Sequence, residues 1–402
     1  MLAQENPHPP TSAVDRIANE GIRKELNTNS IVQSIPFKNI GPTVFSGRVT
    51  DLAVNPKDPS KYYVAYASGG LWYTENNGNT FTPIFDNELV MTIGDIAVDW
   101  TTETIWVGTG ENNSSRSSYA GLGIYKSSDK GETWTHMGLK ESHHISRIII
   151  DPENSDRVYV AVLGKLYSPN KKRGIYITSD GGKTWQQTLY VNDNAGAVDM
   201  VMDPANNQVL YAATWERTRR AWDFIESGNG SGIYKSMDGG LTWKRMNDAS
   251  SGFPSNEGVG RIGLDIYNDG KVSKLFAILD NYNRRPKEED TKEVALKEQF
   301  RSMSKTEFLA LTDQKIKDYL EENNFPEKYT AKKVKKMIKN DKIKVEDLVT
   351  YLETANSLLF DTPVIGAEVY VSYDNGLKWE KTHEGYLDRV YNSYGYYFGQ
   401  IR

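Results

Sequence analysis

Thr178-Ser179-Asp180-Gly181-Gly182-Lys183-Thr184-Trp185 is the stretch that decides the fold. Its pattern is Ser/Thr-x-Asp/Asn-x-Gly-x-Thr-Trp/Phe, and it occurs five times, at 74–81, 127–134, 178–185, 236–243 and 372–379. In the last copy Lys378 replaces the threonine. A short carboxylate accepts backbone N–H bonds inside a hairpin turn, and glycine supplies the positive φ that the turn demands. The aromatic then opens the next strand and packs between sheets. An apolar pair precedes each of the last four copies: Ile124-Tyr125, Ile175-Tyr176, Ile233-Tyr234 and Val369-Tyr370.

The rest of each unit repeats as well. Alternating strands closing on Asp-Pro or Asn-Pro precede the boxes, as in Leu52–Pro56, Ile148–Pro152 and Met200–Pro204. A turn and a second strand follow, such as Val158–Ala161 or Leu210–Ala213. Four short strands per unit of roughly 45–60 residues describe the blade of a β-propeller. The expected fold is therefore all-β, with five complete blades and the start of a sixth. Gly399-Gln400-Ile401-Arg402 matches the inner-strand openings Gly260–Gly263 and Ser146–Ile149, so the chain reads as a piece of a larger propeller, the alternative being a C-terminus that donates a closing strand to blade one.

Between 286 and 361 the strand pattern breaks. Lys292–Glu322 and Ala331–Ala355 carry apolar residues at three- and four-residue spacing, which predicts a helical insertion between the second and third strands of blade five. The expected organisation is an N-terminal extension over 1–37, propeller over 38–285, insertion over 286–361, and the remainder of blade five with the sixth inner strand over 362–402. Lysines 332, 333, 335, 336 and 339 read either as a docking patch or as a solvated face.

Composition removes several classes of function. The net charge is −5 and the basic residues are dispersed, which disfavours nucleic acid. No window approaches the roughly 18 apolar residues of a membrane helix. With no cysteine and five histidines lacking HExxH spacing, neither thiolate chemistry nor a zinc site is expected, and no cofactor is implied. Met1-Leu2-Ala3-Gln4 is not an intact signal peptide; Leu-Ala-Gln reads either as the tail of one or as a chance match.

Aligning the inner strands gives a polar column: Asp51, Asp95, Arg147, Asp199, Arg261 and Gln400. Ionisable groups on channel-lining strands must be paired or hydrated. The column is either a salt-bridge ring between blades or the floor of a binding site. Loops between second and third strands emerge beside it, and long loops on a rigid scaffold carry sites. They contain Glu111 and Arg116 in blade two, and Trp215, Glu216, Arg217, Arg220 and Trp222 in blade four. His143 and His144 enter blade three nearby.

Glu111 and Glu216 occupy equivalent places, which with Asp199 makes them candidate carboxylates for glycoside hydrolysis. The favoured alternative is that each glutamate pairs with an arginine such as Arg116 or Arg217. The mixture of indole and guanidinium groups from Trp215 to Trp222 suits stacking on sugars or gripping a peptide.

The boxes resemble the Asp-box (BNR) repeat of sialidases, xyloglucanases, the sortilin propeller and photosystem II stability factors. Over 38–402 the chain looks most like exported bacterial Asp-box propellers of sortilin-like or glycosyl-hydrolase-like type. Gly108–Asn113, Ala213–Arg217 and Gly232–Ser236 carry that likeness. It implies a secreted, periplasmic or cell-surface protein. The Phe/Tyr-Arg-Ile-Pro motif of sialidases is absent, and the xyloglucanase aspartate two residues before Gly-Gly corresponds here to Ala67. The expectation is a binding propeller for a peptide, protein or glycan, with a glycoside hydrolase or an assembly factor as alternatives.

Overall fold

A computed structural model describes residues 11–35, 47–115, 118–220, 223–285, 297–323, 325–350, 364–387, 390, 395–397 and 399–401. Five four-stranded antiparallel sheets follow one another along the chain, each ordered first to fourth strand. Blade one comprises Val49–Val54, Tyr62–Tyr66, Gly70–Thr74 and Thr82–Pro83. Blade two comprises Ile93–Asp99, Thr104–Thr109, Ile124–Ser127 and Thr135–His136, and blade three Ile145–Asp151, Asn154–Val162, Gly174–Thr178 and Gln186–Leu189. Blade four has Ala195–Asp203, Asn206–Glu216, Gly232–Ser236 and Lys244–Arg245; blade five has Val259–Asn268, Ser273–Arg284, Val364–Ser372 and Glu380–Lys381. This is the propeller architecture read from the repeat. Residues 399–401 carry no strand pairing, since no second strand of a sixth blade lies beside them among the described residues.

The two-residue period of a strand explains how the blades stack. In blade two, Ile105 and Val107 pack towards blade one with Tyr63 and Leu71, whereas Trp106 between them packs towards blade three with Val158 and Val160. Tyr159 in turn faces blade four beside Ala212 and Tyr234. The second strands of blades one to four are therefore buried on both faces, and the apolar cores of the propeller lie between blades.

The Asp-box turns lock these layers from the rim. Asp129 accepts from Thr133 N at 2.9 Å and Thr133 Oγ1 at 2.5 Å, while Gly131 N donates to Ser127 Oγ at 2.8 Å. Donation by Thr133, side chain first, holds the Asp129 carboxyl down to about 2. Trp134 Nε1 donates to Ile84 O of blade one, and Trp185 Nε1 to Met137 O of blade two, at 2.7 and 2.6 Å. Gly182 needs glycine twice over: its φ is +92°, and a Cβ would come within 2.7 Å of the Trp106 ring. The turns also bond to the first hairpin of their own blade, as in Gly181 N to Asp156 O at 3.0 Å. Boxes and first hairpins thus share one face, leaving the loops after second strands on the other.

The chain divides into two compact units, Met1–Asn283 with Ile365–Arg402, and Arg284–Val364. Among the described residues the second unit contains five short helices: Lys297–Ser302, Lys305–Ala310, Asp313–Glu322, Ala331–Lys339 and Asp347–Thr350. The periodic run expected over Lys292–Glu322 is broken because Ser304 and Thr312 cap new helices, each accepting a backbone N–H. Residues 292–296 and 351–355 of the expected runs lie outside the described residues. Phe300, Phe308, Ile316, Tyr319, Val334 and Ile338 form this unit's own core. Lys335 pairs with Asp313 at 2.9 Å, and Lys332, Lys333, Lys336 and Lys339 are exposed. Within the N-terminal extension, Ser12 caps a helix over Ala13–Thr28.

Candidate functional site

The polar column begins with a repeated backbone irregularity. Each inner strand slips register against its second strand just before or at the column residue, at Val49/Asp51, Ile93/Asp95, Ala197/Asp199 and Val259/Ile262, and likewise beside Arg147. A bulge of this kind re-aims a side chain that would otherwise continue the alternation. The aspartates turn towards the next blade and take a backbone N–H from its inner strand: Asp51 from Ile96 at 3.2 Å, Asp95 from Ile148 at 2.7 Å, Asp199 from Leu264 at 3.0 Å. Arg147 donates to Asp199 at 3.0 Å and to Asp95 at 3.2 Å. Against burial, which lowers it, Asp95, Asp199 and Asp51 hold the Arg147 guanidinium above its ordinary range. Asp95 is pushed well above the usual carboxylate range, by burial first, with Arg147 opposing. Over blades one to four the column is therefore an inter-blade lock, and Asp199 is consumed in it.

Above the column lies a hub formed by the loop after the second strand of blade two. Glu111 is wholly buried. Arg48 of blade one donates to both of its oxygens at 2.5 Å, joined by Asn113 Nδ2 at 3.1 Å and Ser118 Oγ at 3.0 Å. The ion pair anticipated for Glu111 thus exists with a different partner. Arg217 is not bonded to it, because that guanidinium is directed at Ser114, and Arg116 lies outside the described residues. Glu111 O meets His144 Nδ1 at 2.8 Å. Burial, then the charge of Arg217, keeps His144 well below its usual range, so the ring is neutral and donates to that carbonyl. His143 is held down to about 4 by burial and by Arg16 of the N-terminal helix.

Glu216 corrects the second expected ion pair. Its carboxylate accepts from Gly230 N at 2.6 Å, and it makes no salt bridge to Arg217. Successive strand residues face opposite ways, so Glu216 is half-exposed while Arg217 and Trp215 are fully buried. The Trp215 ring lies 5.3 Å from the Arg217 guanidinium and 5.6 Å from that of Arg261, with its Nε1 donating to Glu226 O at 2.6 Å. Arg261 Nη1 donates to Asn113 Oδ1 at 2.8 Å and Tyr396 O at 2.6 Å. Arg220 is exposed, and Trp222 lies outside the described residues.

Three residues of this region escaped the sequence reading. Arg219, next to the chosen Arg220, is buried and donates to Ser114 O at 2.9 Å while lying 4.2 Å over the Phe224 ring. Burial pushes Asp280 up to about 7 and, with Asp280 adding to it, Glu226 up to about 9. The only signal for Asp280 is an acid closing the apolar run Leu275–Leu279; for Glu226 there is none.

The decisive feature is Arg217. It donates once, to Ser114 Oγ, and its Nε and Nη2 are buried without an acceptor. Burial first, then the charges of Arg173, Arg261 and Arg219, push it well below the usual arginine range. A cavity of about 270 Å³ opens beside the hub, lined by Arg48, Thr50, Asn112, Asn113, Tyr397 and Gln400 among others. The described residues contain no cluster of metal-ligating side chains and no helix long and apolar enough to cross a membrane.

A family model described as sortilin, neurotensin receptor 3 (Sortilin-Vps10) matches residues 123–345. The chain belongs to the Sortilin-Vps10 family. Among curated relatives, a probable oligoxyloglucan-reducing end-specific xyloglucanase of Neosartorya fischeri is 28% identical over 154 residues, 34% of this chain and 17% of that protein. A xyloglucanase of a Paenibacillus species is 22% identical over 264 residues, 58% and 24% respectively. The chain therefore spans about a quarter or less of the length of these relatives. Among solved structures, a GH74 enzyme of Niastella koreensis is similar at 16% identity and a TM-score of 0.45, over 83% of this chain and 38% of that one. YCF48 bound to D1 peptide is similar at 14% identity and a TM-score of 0.34, over 61% and 68%.

Proposed function

We propose that this Sortilin-Vps10 propeller is a binding module whose loop face holds a peptide, protein or glycan through an anionic group. One observation carries the reading: the buried, under-satisfied Arg217 guanidinium beside Trp215, Arg219 and Arg261. A buried donor without an acceptor costs about 1–3 kcal/mol, and an incoming carboxylate or sulfate supplies what is missing as charge-assisted bonds. Glu111 and Glu216, the carboxylates first suggested for catalysis, are both engaged in hydrogen bonds within the fold. No nucleic acid partner and no cofactor form part of this reading. An exported location, secreted, periplasmic or at the cell surface, belongs to the same proposal and is tested by cell fractionation.

The test is retention of the full chain on immobilised acidic and neutral peptides and polysaccharides, compared with Arg217→Met. Acid-selective retention lost in the variant supports the reading. Retention indifferent to ligand charge sinks it. Replacing a buried, poorly paired charge by an apolar side chain of similar size also leaves the fold as stable or more so, by up to about 2 kcal/mol.

A glycoside hydrolase is the second reading, favoured by the xyloglucanase names of the curated relatives and by Glu226 and Asp280, two acids pushed up to different values in one region. Reducing ends released from xyloglucan, and lost in Glu226→Gln or Asp280→Asn, would establish it over the binding module.

A further inference from the structure

We infer that the loop Asn112–Ser115 is a built-in plug: Asn113 and Ser114 fill the seat on Arg217, Arg219 and Arg261 that the anionic group of a ligand takes. The inference rests on the binding reading and adds its regulation.

The reach of the loop is the first ground. It leaves the second strand of blade two, yet it is gripped by side chains of blades four and five, 103, 105 and 148 residues along the chain. All four loop residues are buried. Nothing in the hydrophobic pattern of blade two requires its loop to cross to those blades; the contacts are made entirely by polar groups.

The chemistry of the contact is the second. The acceptors that the loop offers to the three guanidiniums are a hydroxyl, a peptide carbonyl and a side-chain amide oxygen, from Ser114 and Asn113, and Arg261 donates to Tyr396 O as well. None of the loop's three oxygens carries a formal charge. Arg217 keeps two buried nitrogens without acceptors, and Arg219 Nε is in the same condition. Neutral oxygens thus stand where these guanidiniums would accept the charged oxygens of an anion. An anionic group placed there makes bonds roughly twice as strong as neutral ones, so it displaces the loop when present and the loop closes the seat when it is absent.

The third ground is the anchoring of the base of the loop. Glu111, tied to Arg48 and Ser118, fixes the base of the loop and reaches the tip through Asn113 Nδ2 at 3.1 Å. Gly110 precedes it with φ +88°, a conformation suited to glycine. Ser114, held by Arg217 and Arg219, has no bond to Glu111 among the described residues, so it can exchange partners while the base stays held.

The experiment titrates the full chain with sulfate and with citrate by calorimetry at low ionic strength, for the wild type, Ser114→Gly, Ser114→Asp and Arg217→Met. Removing the hydroxyl in Ser114→Gly weakens the plug and is expected to tighten sulfate binding about tenfold. Ser114→Asp supplies the anion in cis: its melting temperature rises and its sulfate affinity falls at least about tenfold. Equal affinity of wild type and Ser114→Gly, with binding abolished in Arg217→Met, overturns the plug and leaves the binding reading standing. Absence of sulfate and citrate binding in every variant overturns both. A lowered melting temperature in Ser114→Asp marks the loop as ordinary packing and overturns the plug. Amide hydrogen exchange of the wild type provides a reading that needs no variant: sulfate should speed exchange across 111–115, and unchanged or slower exchange there refutes displacement.

Discussion

At the Asp-box turns every carboxylate finds its donors close by in the chain, Asp129 from Thr133 and Ser127, Asp238 from Thr242 and Ser236, all within four residues. At the loop hub the corresponding separations are 63 for Arg48 with Glu111 and 103 to 148 for the arginines that grip Asn113 and Ser114. The two regions also differ in their balance. Asp129 and Asp238 have both oxygens bonded, and hydrogen bonding to Thr133 and Thr242 holds them down to about 2. The hub instead has surplus donors on Arg217 and acids raised by burial at Glu226 and Asp280. A polar group satisfied locally contributes to folding and has nothing left to offer a ligand. One left short in a dry site weakens the fold and is available for binding, the usual relation between stability and function.

The sharpest way to break this comparison is to remove the one well-paired group of the hub. Glu111→Ala strands Arg48 and frees Asn113 and Ser118, and should destabilise by roughly 3–5 kcal/mol in urea unfolding. A loss below about 1 kcal/mol would mean that the hub is no more organised than a surface ion pair.

Next in size is a pH effect. Burial raises the Asp280 carboxyl to about 7. Its stability contribution is therefore fully present below the unfolded value near 4, declines as pH rises towards 7, and stays lost above it. Asp280→Asn should remove that slope, making the variant more stable than the wild type at pH 8 by roughly 2–4 kcal/mol while similar at pH 4. Parallel pH profiles would contradict the assignment.

Gly182→Ala tests the rim, where φ +92° and the nearby Trp106 ring both oppose a Cβ. A destabilisation of about 1–3 kcal/mol is expected, with anion binding untouched. Smallest is Asp129→Asn, which weakens one exposed turn among several. The depressed Asp129 carboxyl supports the turn above the ordinary carboxylate range and loses that support as pH falls towards 2, so the variant should differ from the wild type at neutral pH and converge with it in acid melts. A difference that widens in acid would reverse the sign of the argument.

Blade architecture was legible because its determinants are local. Alternation along Ile105-Trp106-Val107 places neighbouring side chains in different inter-blade cores, and each Asp-box closes on itself within a single turn. The helical period within 297–350 was legible for the same reason, although the breaks at Ser304 and Thr312 were not, since a serine or threonine caps a helix only where the chain actually turns. Sequence alone thus determined the repeat, the strand order and the side of the propeller on which long loops gather. Tertiary structure alone decided that Glu111 meets Arg48, that Arg219 and not Arg220 turns inward, and that Glu226 and Asp280 share the hub. The physical reason lies in the range of the interactions. Hydrogen bonds inside a turn are set by neighbours in the chain, whereas the partner and the charge state of a buried ion depend on which distant segments folding brings around it.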